Sequence, residues 1–259
     1  MTLRTYPKIT VITPSFNQGE FIEQTIQSVL TQNYPNLEYI VMDGGSTDNT
    51  LRILRSFRGK LRWISKKDKG QTDAINKGMR LATGDIVAYL NSDDLYTPSA
   101  LFTVAQIFSE HQDVQWLTGD YEVIDEHGNQ IHAVVVTYKR LLRRFLNRNT
   151  LLVANSIIQP STFWRRSFGK KIGPFNDSLR YCMDFEFWLR AFRKSPVFVI
   201  PDVLSKFRIH PGSKGGSQFS RQFAEEHAVI LEQTRHTLLH ALHLLHAKMV
   251  VYFYNKIKK

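Results

Sequence analysis

The chain has 259 residues, 42% of them hydrophobic, which is enough for a full core and excludes a mainly disordered protein. Cys182 is the only cysteine, so an intrachain disulfide is excluded and a reducing compartment fits. The formal net charge of +11 narrows the partners to nucleic acid, an anionic membrane surface or phosphorylated small molecules.

The first residues carry no apolar core of a leader, and no apolar run reaches about 18–20 residues, so neither a signal peptide nor a membrane span is expected. The expected location is cytoplasmic, with peripheral contact at the inner face of the membrane. Residues 8–13 are a short β-branched strand ending at Pro14. From Gly19 the pattern turns helical, with Phe21, Ile22, Ile26, Val29 and Leu30 on one face. Tyr34-Pro35-Asn36 ends that helix, and residues 37–42 form the second strand. The turn from Asp43 to Asp48 offers Ser46 or Thr47 as cap for a following helix. A third strand is expected over 61–64, a helix over 72–81, a fourth strand over 86–90 and a helix over 98–108. Strand and helix alternate at short intervals, which predicts a parallel sheet with right-handed crossovers.

The pattern changes after Val114. Strands are expected over 114–118, 121–124 and 131–136, with Glu126-His127-Gly128-Asn129 as a hairpin turn. The basic run over 139–148 reads as a helix, and 157–164 as an extended stretch broken by Pro160. A helix over 184–192, strands over 197–200 and 203–209, and one or two helices over 219–254 complete the chain. His236, His240 and His243 recur at helical spacing, a pattern open to metal binding. No carboxylate or cysteine joins them and a leucine stripe runs beside them, so an amphipathic helix is expected. The domain division is 1–215, split near 112 into a donor-side and an acceptor-side half, with 216–259 as a C-terminal helical extension.

Three strand ends of the first half deliver polar groups to one sheet edge: Thr13-Pro14-Ser15-Phe16-Asn17, Asp43-Gly44-Gly45, and Asn91-Ser92-Asp93-Asp94. Ligands of open α/β sheets bind at such carboxyl ends. Adjacent carboxylates repel unless a cation, a proton or water offsets them, and a divalent metal holding a phosphorylated ligand is the economical solution. A solvated acidic turn is the alternative. Asp43 suits hydrogen bonds from a base or a ribose, or the capping of its own turn.

These segments, with Val41-Met42-Asp43-Gly44-Gly45-Ser46-Thr47-Asp48, Asp68-Lys69-Gly70-Gln71-Thr72-Asp73-Ala74-Ile75-Asn76-Lys77-Gly78 and Met183-Asp184-Phe185-Glu186-Phe187-Trp188, resemble the inverting glycosyltransferases of family 2 with the GT-A fold. The resemblance runs from residue 8 to about residue 210 and rests on several motifs in order. It implies an α/β fold: a mostly parallel, Rossmann-like GT-A sheet flanked by helices, followed by the helical extension.

The resemblance also implies roles. Thr13, Pro14, Ser15 and Asp43 would hold the nucleobase and ribose of a nucleotide-sugar, with Asp68, Gln71 and Asp73 lining the same side. Asn91, Ser92 and Asp93 map on the metal motif. Asp93 would bind Mn2+ or Mg2+, with Asp94 as a direct or indirect support and His210 approaching the diphosphate or metal. Lys214 would screen phosphate charge, and the loop over 212–217 would order over product. Asn91 stands where many members have an acid, and so does Gly44. Asp184 would be the base that takes the acceptor's proton, with Glu186 as rival and a simple helix cap as the plain alternative. The implied donor is a UDP-, GDP- or dTDP-sugar, and the acceptor a saccharide or lipid-linked saccharide in cell-surface polysaccharide or glycolipid synthesis. Two other readings stand beside this one. A nucleotidyltransferase would need a richer glycine loop than Pro14-Ser15-Phe16-Asn17-Gln18-Gly19, and a nucleic-acid-binding protein has charge but no recognition motif in its favour.

Overall fold

The computed structural model describes residues 6–213 and 219–257. Lys214, the rest of the 212–217 loop beyond Ser213, and the last two residues, Lys258 and Lys259, lie outside the described residues.

A mixed nine-stranded sheet runs through the molecule. Its first half holds β1 (Ile9–Ser15), β2 (Leu37–Asp43), β3 (Arg62–Ser65) and β4 (Ile86–Tyr89). These are parallel and ordered β3-β2-β1-β4, so the strand order reverses between β1 and β4. The second half holds β5 (Leu95–Tyr96), β6 (Trp116–Ile124), β7 (Gln130–Ile131), β8 (Thr162–Arg165) and β9 (Phe198–Arg208). Here β8 is antiparallel to both β4 and β6, β9 is parallel to β6, and β5 pairs antiparallel with β9.

The helices α1 (Ile22–Leu30), α2 (Thr50–Ser56), α3 (Gln71–Leu81) and α4 (Ala100–Glu110) link the early strands. They are followed by α5 (Ala133–Arg143), α6 (Arg148–Val153), α7 (Arg166–Ile172) and α8 (Met183–Phe192). Two more, α9 (Phe219–Gln233) and α10 (Thr237–Ile257), end the described chain.

Helices cover both faces of the sheet, which is why its central strands read as unbroken apolar runs. Along β1, Ile9 and Val11 enter a core with α1 and α4, while Ile12 points to the opposite core with α3 and α8. Gly78 lets α3 lie close on β1, since a Cβ there would come within 2.5 Å of Ile12 Cγ2. The extension is part of this packing: Val229 and Ile230 of α9 are buried in the same core as Trp188 and Leu189.

Several expectations need correction. Residues 131–136 are not one strand, because only Gln130 and Ile131 pair with β6, and from Ala133 the chain is helical. The helix brings Arg140 and Arg143 to the buried Asp120 on β6 and seats Val136 in a small core with Tyr121 and Val123. Those contacts outweigh the strand preference of three consecutive valines. The basic run is accordingly two helices, separated by Asn147, whose side chain accepts from the amides of Asn149 and Thr150 and begins α6. Within it Arg143 is buried, at 4% exposure. The two strands expected over 114–124 are one, irregular between Thr118 and Tyr121, and β9 likewise runs unbroken through Pro201. Neither Ser46 nor Thr47 caps α2. That helix starts at Thr50, whose amide donates to Asp48 Oδ1 at 2.9 Å.

Candidate active site

The carboxyl ends of β1, β2 and β4 meet where the strand order reverses, the crevice in which open α/β sheets bind ligands. Ser15 pairs in register with Asp43, and Asp43 with Ser65. Asp43 is buried and draws the loop after β2 around itself. Its Oδ2 accepts from the amides of Gly45 and Ser46 at 3.1 and 3.0 Å and from Ser65 Oγ at 2.5 Å, while Oδ1 accepts from Ser46 Oγ. Ser46 Oγ accepts in turn from the amide of Asn17, and Asn17 Oδ1 accepts from the amide of Thr47 at 2.8 Å. The ends of β1 and β2 are thereby stitched into one wall.

Gly44 fits against Asp68, for a Cβ on it would lie 2.9 Å from Asp68 Oδ2. The carboxylate of Asp68 fills the space beside Gly44, and its Oδ1 accepts from Gly70 N at 2.8 Å. Ser15 Oγ is buried with no hydrogen-bond partner among the described residues. A buried hydroxyl at a ligand-binding edge that lacks a protein partner fits a polar ligand group. Thr13 points away from the crevice into the sheet, where its hydroxyl meets the Tyr39 hydroxyl at 3.1 Å. Asp73 is also turned aside: Lys77 lies 2.7 Å from its Oδ2 and holds its carboxyl below the usual range.

The acidic turn after β4 is built from three layers. Gln71 Nε2 donates to Asn91 Oδ1 at 2.7 Å, and Asn91 Nδ2 donates to both Asp94 Oδ2 and Gln159 Oε1 at 3.1 Å. Ser92 is buried beside them. Asp94 is fully buried, and its Oδ1 accepts from the Arg208 amide at 2.9 Å. Burial, then the neighbouring Asp93 charge, push its carboxyl well above the ordinary range, against the opposing pull of Arg208. With both oxygens engaged and no surface exposed, Asp94 supports the turn from behind.

Asp93 faces the other way. Its Oδ2 lies 3.1 Å from His210 Nε2, and the His210 ring rests on Phe21 at 4.5 Å between centroids. Arg208 locks this pair: Nε donates to the Asp93 carbonyl at 2.8 Å, Nη1 to the carbonyls of Asp125 and Glu126, and Nη2 to Gln24 Oε1. Among the described residues no group of three or more His, Cys, Asp or Glu side chains is gathered for a metal. Asp93 and His210 together would offer one oxygen and one nitrogen to a metal. That donor set fits a cation such as Mg2+ or Mn2+, which takes oxygen and imidazole ligands.

Asp184 lies in the first turn of α8, whose cap position is Cys182, so it is not the helix cap. Its Oδ1 accepts from the Phe185 amide at 2.8 Å. The carboxylate is in electrostatic reach of Tyr89 at the end of β4, and the Tyr89 hydroxyl also feels Asp94. Tyr89 therefore stands between the acidic turn and Asp184. The rival Glu186 is committed elsewhere, in a two-pronged pair with Arg190 at 2.7 and 2.8 Å. The three histidines at helical spacing do not converge: on α10 His243 is buried against the Val153 carbonyl and His240 bonds the Thr234 carbonyl, while His236 is exposed and precedes the helix.

Sequence reasoning assigned no role to Arg208, Gln159, Ser65 or Tyr89. The one available signal was for Arg208, a lone arginine at the end of an apolar strand two residues before His210.

Residues 10–173 match the family described as Glycosyl transferase family 2. An uncharacterized glycosyltransferase of Rickettsia typhi is 32% identical over 214 residues, covering 81% of this chain and 67% of its own length. A PGL/p-HBAD biosynthesis glycosyltransferase of Mycobacterium bovis is 33% identical over 191 residues, covering 72% of this chain and 70% of its own. Across five rickettsial relatives the chain spans between 36% and 67% of their lengths. Among solved structures, S. aureus TarS 1-349 in complex with UDP-GlcNAc superposes with a TM-score of 0.68 at 20% identity, covering 87% of this chain and 66% of that one. A mannosyltransferase from Pyrobaculum calidifontis in complex with GDP-Man and Mn2+ gives 0.67 at 20% identity, covering 95% and 70%.

Proposed function

The chain belongs to glycosyl transferase family 2, and from that membership we propose that it moves one sugar from a nucleoside-diphosphate sugar to an acceptor hydroxyl with inversion, using a divalent metal. The observation that carries the proposal is the meeting of Asp93 with His210 at the crevice that the ends of β1 and β2 wall in. Ser15 and the Asp43 loop take the nucleoside side, with Asp68 against Gly44 and Gln71 through Asn91 shaping the same wall. The nucleotide-sugars held by TarS and by the mannosyltransferase support this class of donor.

Asp93 and His210 would hold Mn2+ or Mg2+. When bound, such a cation offsets the negative charge that grows on the leaving diphosphate. The acceptor oxygen attacks the anomeric carbon from the face opposite the diphosphate, forming the new glycosidic bond as the old carbon–oxygen bond breaks. The electron pair of the broken bond leaves with the nucleoside diphosphate. Asp184 takes the acceptor's hydroxyl proton. Asn91 supplies no charge here, and its amide instead ties the donor wall to the acidic turn.

The acceptor we assign is a saccharide or lipid-linked saccharide of the cell surface, reached by peripheral contact with an anionic membrane. Leu238, Leu242, Leu245, Met249 and Tyr252 recur on α10 at intervals of four and three residues and are exposed, and the chain's charge is +11. None of the described helices is long and apolar enough to cross a membrane.

The test is thermal unfolding with UDP, GDP and dTDP, each with and without Mn2+. A ligand at about 100 times its Kd stabilises by about 2.7 kcal/mol. One diphosphate should raise the midpoint only with metal, and Asp93→Ala should abolish the shift. A transfer assay with the matching sugar then reads the anomeric configuration of the product by NMR, where retention would refute inversion.

A further inference from the structure

The segment leading into α8 has three consecutive amides turned toward one point. Arg180 N donates to Glu225 Oε1 at 2.8 Å, and Tyr181 N and Cys182 N donate to Glu225 Oε2 at 2.6 and 2.8 Å. Successive N–H groups gathered in this way form a concavity for an anion. Here the anion is the chain's own carboxylate, from 43 to 45 residues further on. Burial opposes the ionisation of Glu225, but the amide hydrogen bonds more than offset it, so its carboxyl stays below the usual range.

The position of the clamp gives it a consequence. Cys182 is the cap residue of α8, and Asp184 follows two residues later in the first turn. The first amides of a helix have no partner within it, so whatever binds the entering strand of chain decides how that turn is set. Glu225 is itself carried by a fixed body, since Val229 and Ile230, one turn further along α9, are 4% and 0% exposed in the core beneath α8. Its neighbour Glu226 is buried too, held by Gln222 Nε2 at 2.8 Å, and lies in electrostatic reach of Asp184 and Lys139.

We propose that Glu225 is a positioning residue for transfer: its carboxylate fixes the 180–182 backbone and so aims Asp184 at the acceptor hydroxyl. The inference rests on Asp184 being the base. The helical extension is then part of the acceptor-side machinery. A carboxylate meets the geometric need because it accepts from both oxygens at once. Glutamine keeps one acceptor oxygen but presents N–H to amide N–H, and alanine leaves all three amides without this partner.

The experiment compares wild type, Glu225→Ala, Glu225→Gln and Asp184→Asn in the full chain. Glu225→Ala should lower kcat for sugar transfer at least about tenfold, while donor KM and the Mn2+-dependent affinity for the nucleoside diphosphate stay within about twofold. Glu225→Gln should fall between the two. Adding Glu225→Ala to Asp184→Asn should cost nothing more, because both act through one group. Hydrogen exchange read by mass spectrometry should show the amides of 180–182 losing protection in Glu225→Ala. Wild-type kcat in Glu225→Ala, a loss that adds fully to Asp184→Asn, or an equal loss of donor affinity would each overturn the inference. Wild-type transfer by Asp184→Asn would remove the base assignment itself. That failure is distinct, because the exchange result would still report whether the clamp holds the backbone.

Discussion

His210 Nε2 and Asp93 Oδ2 stand 3.1 Å apart although 117 residues separate them in the chain. The pair is brought together by β9, whose last residue, Arg208, donates from its guanidinium to the Asp93 carbonyl and from its backbone amide to the Asp94 carboxylate. If the two side chains hold one cation, their removal should not add. Asp93→Ala should abolish the Mn2+-dependent rise in unfolding midpoint with the cognate nucleoside diphosphate. His210→Ala should reduce it, and the double variant should match Asp93→Ala alone. Independent losses in the double-mutant cycle would show that His210 serves the site by some other route.

Arg208 is 1% exposed and has every nitrogen in a hydrogen bond. It also lies 5.0 Å over the ring of Phe21. Removing one partner of a buried charged set strands the others. Arg208→Met should destabilise the protein by about 3–5 kcal/mol, read by urea unfolding. Any folded fraction should bind nucleotide with a weaker metal dependence than wild type. A loss under about 1 kcal/mol would mean that water replaces the guanidinium at those carbonyls.

Glu226 gives a pH dependence of known sign. Burial and the nearby Asp184 charge raise its carboxyl from 4.5 to about 7, against Gln222 and Lys139. The folded chain therefore holds the proton more tightly than the unfolded one. Its contribution to stability is full below about 4.5 and is lost as pH rises through about 7. Glu226→Gln keeps a neutral side chain at every pH, so it should gain on wild type as pH rises from about 5 to about 8. Melting curves of the two proteins across that window check it, and parallel curves would contradict the shift.

Gly78 is the contact point of α3 with β1. Alanine there would bring Cβ to 2.5 Å from Ile12 Cγ2, at a strand buried on both faces. Gly78→Ala should cost about 1–3 kcal/mol by denaturant unfolding, in contrast to the gain alanine gives in an open helix. Trimming the partner with Ile12→Val in the same chain should recover part of the loss.

The alternating half of the chain was legible because each signal there is local. Runs such as Ile86 to Leu90 and turns such as Asp43-Gly44-Gly45 declare themselves within a few residues, and the order β3-β2-β1-β4 follows from short crossovers. The second half was misread where distant contacts decide. Val134, Val135 and Val136 have strand propensity, but the chain is helical there because Arg140 and Arg143 must reach Asp120. The site divides in the same way. Asp93 and His210 were named from the motifs, and they meet in the fold. Nothing nearby in sequence reveals that Asp94 is sealed by Arg208, or that Glu225 reaches back to Cys182.

The reach of β9 across the sheet also bears on when the protein becomes competent during synthesis. A nascent chain that has released only its first four strands and their helices holds the wall made by the ends of β1 and β2 but lacks both His210 and Arg208, whose amide seals Asp94. Domains fold progressively as they emerge, and contacts of long sequence separation close last. The Asp93–His210 half of the crevice is therefore completed only after the second half of the chain has left the ribosome. Until then Asp93 stands without the histidine that meets it in the finished fold.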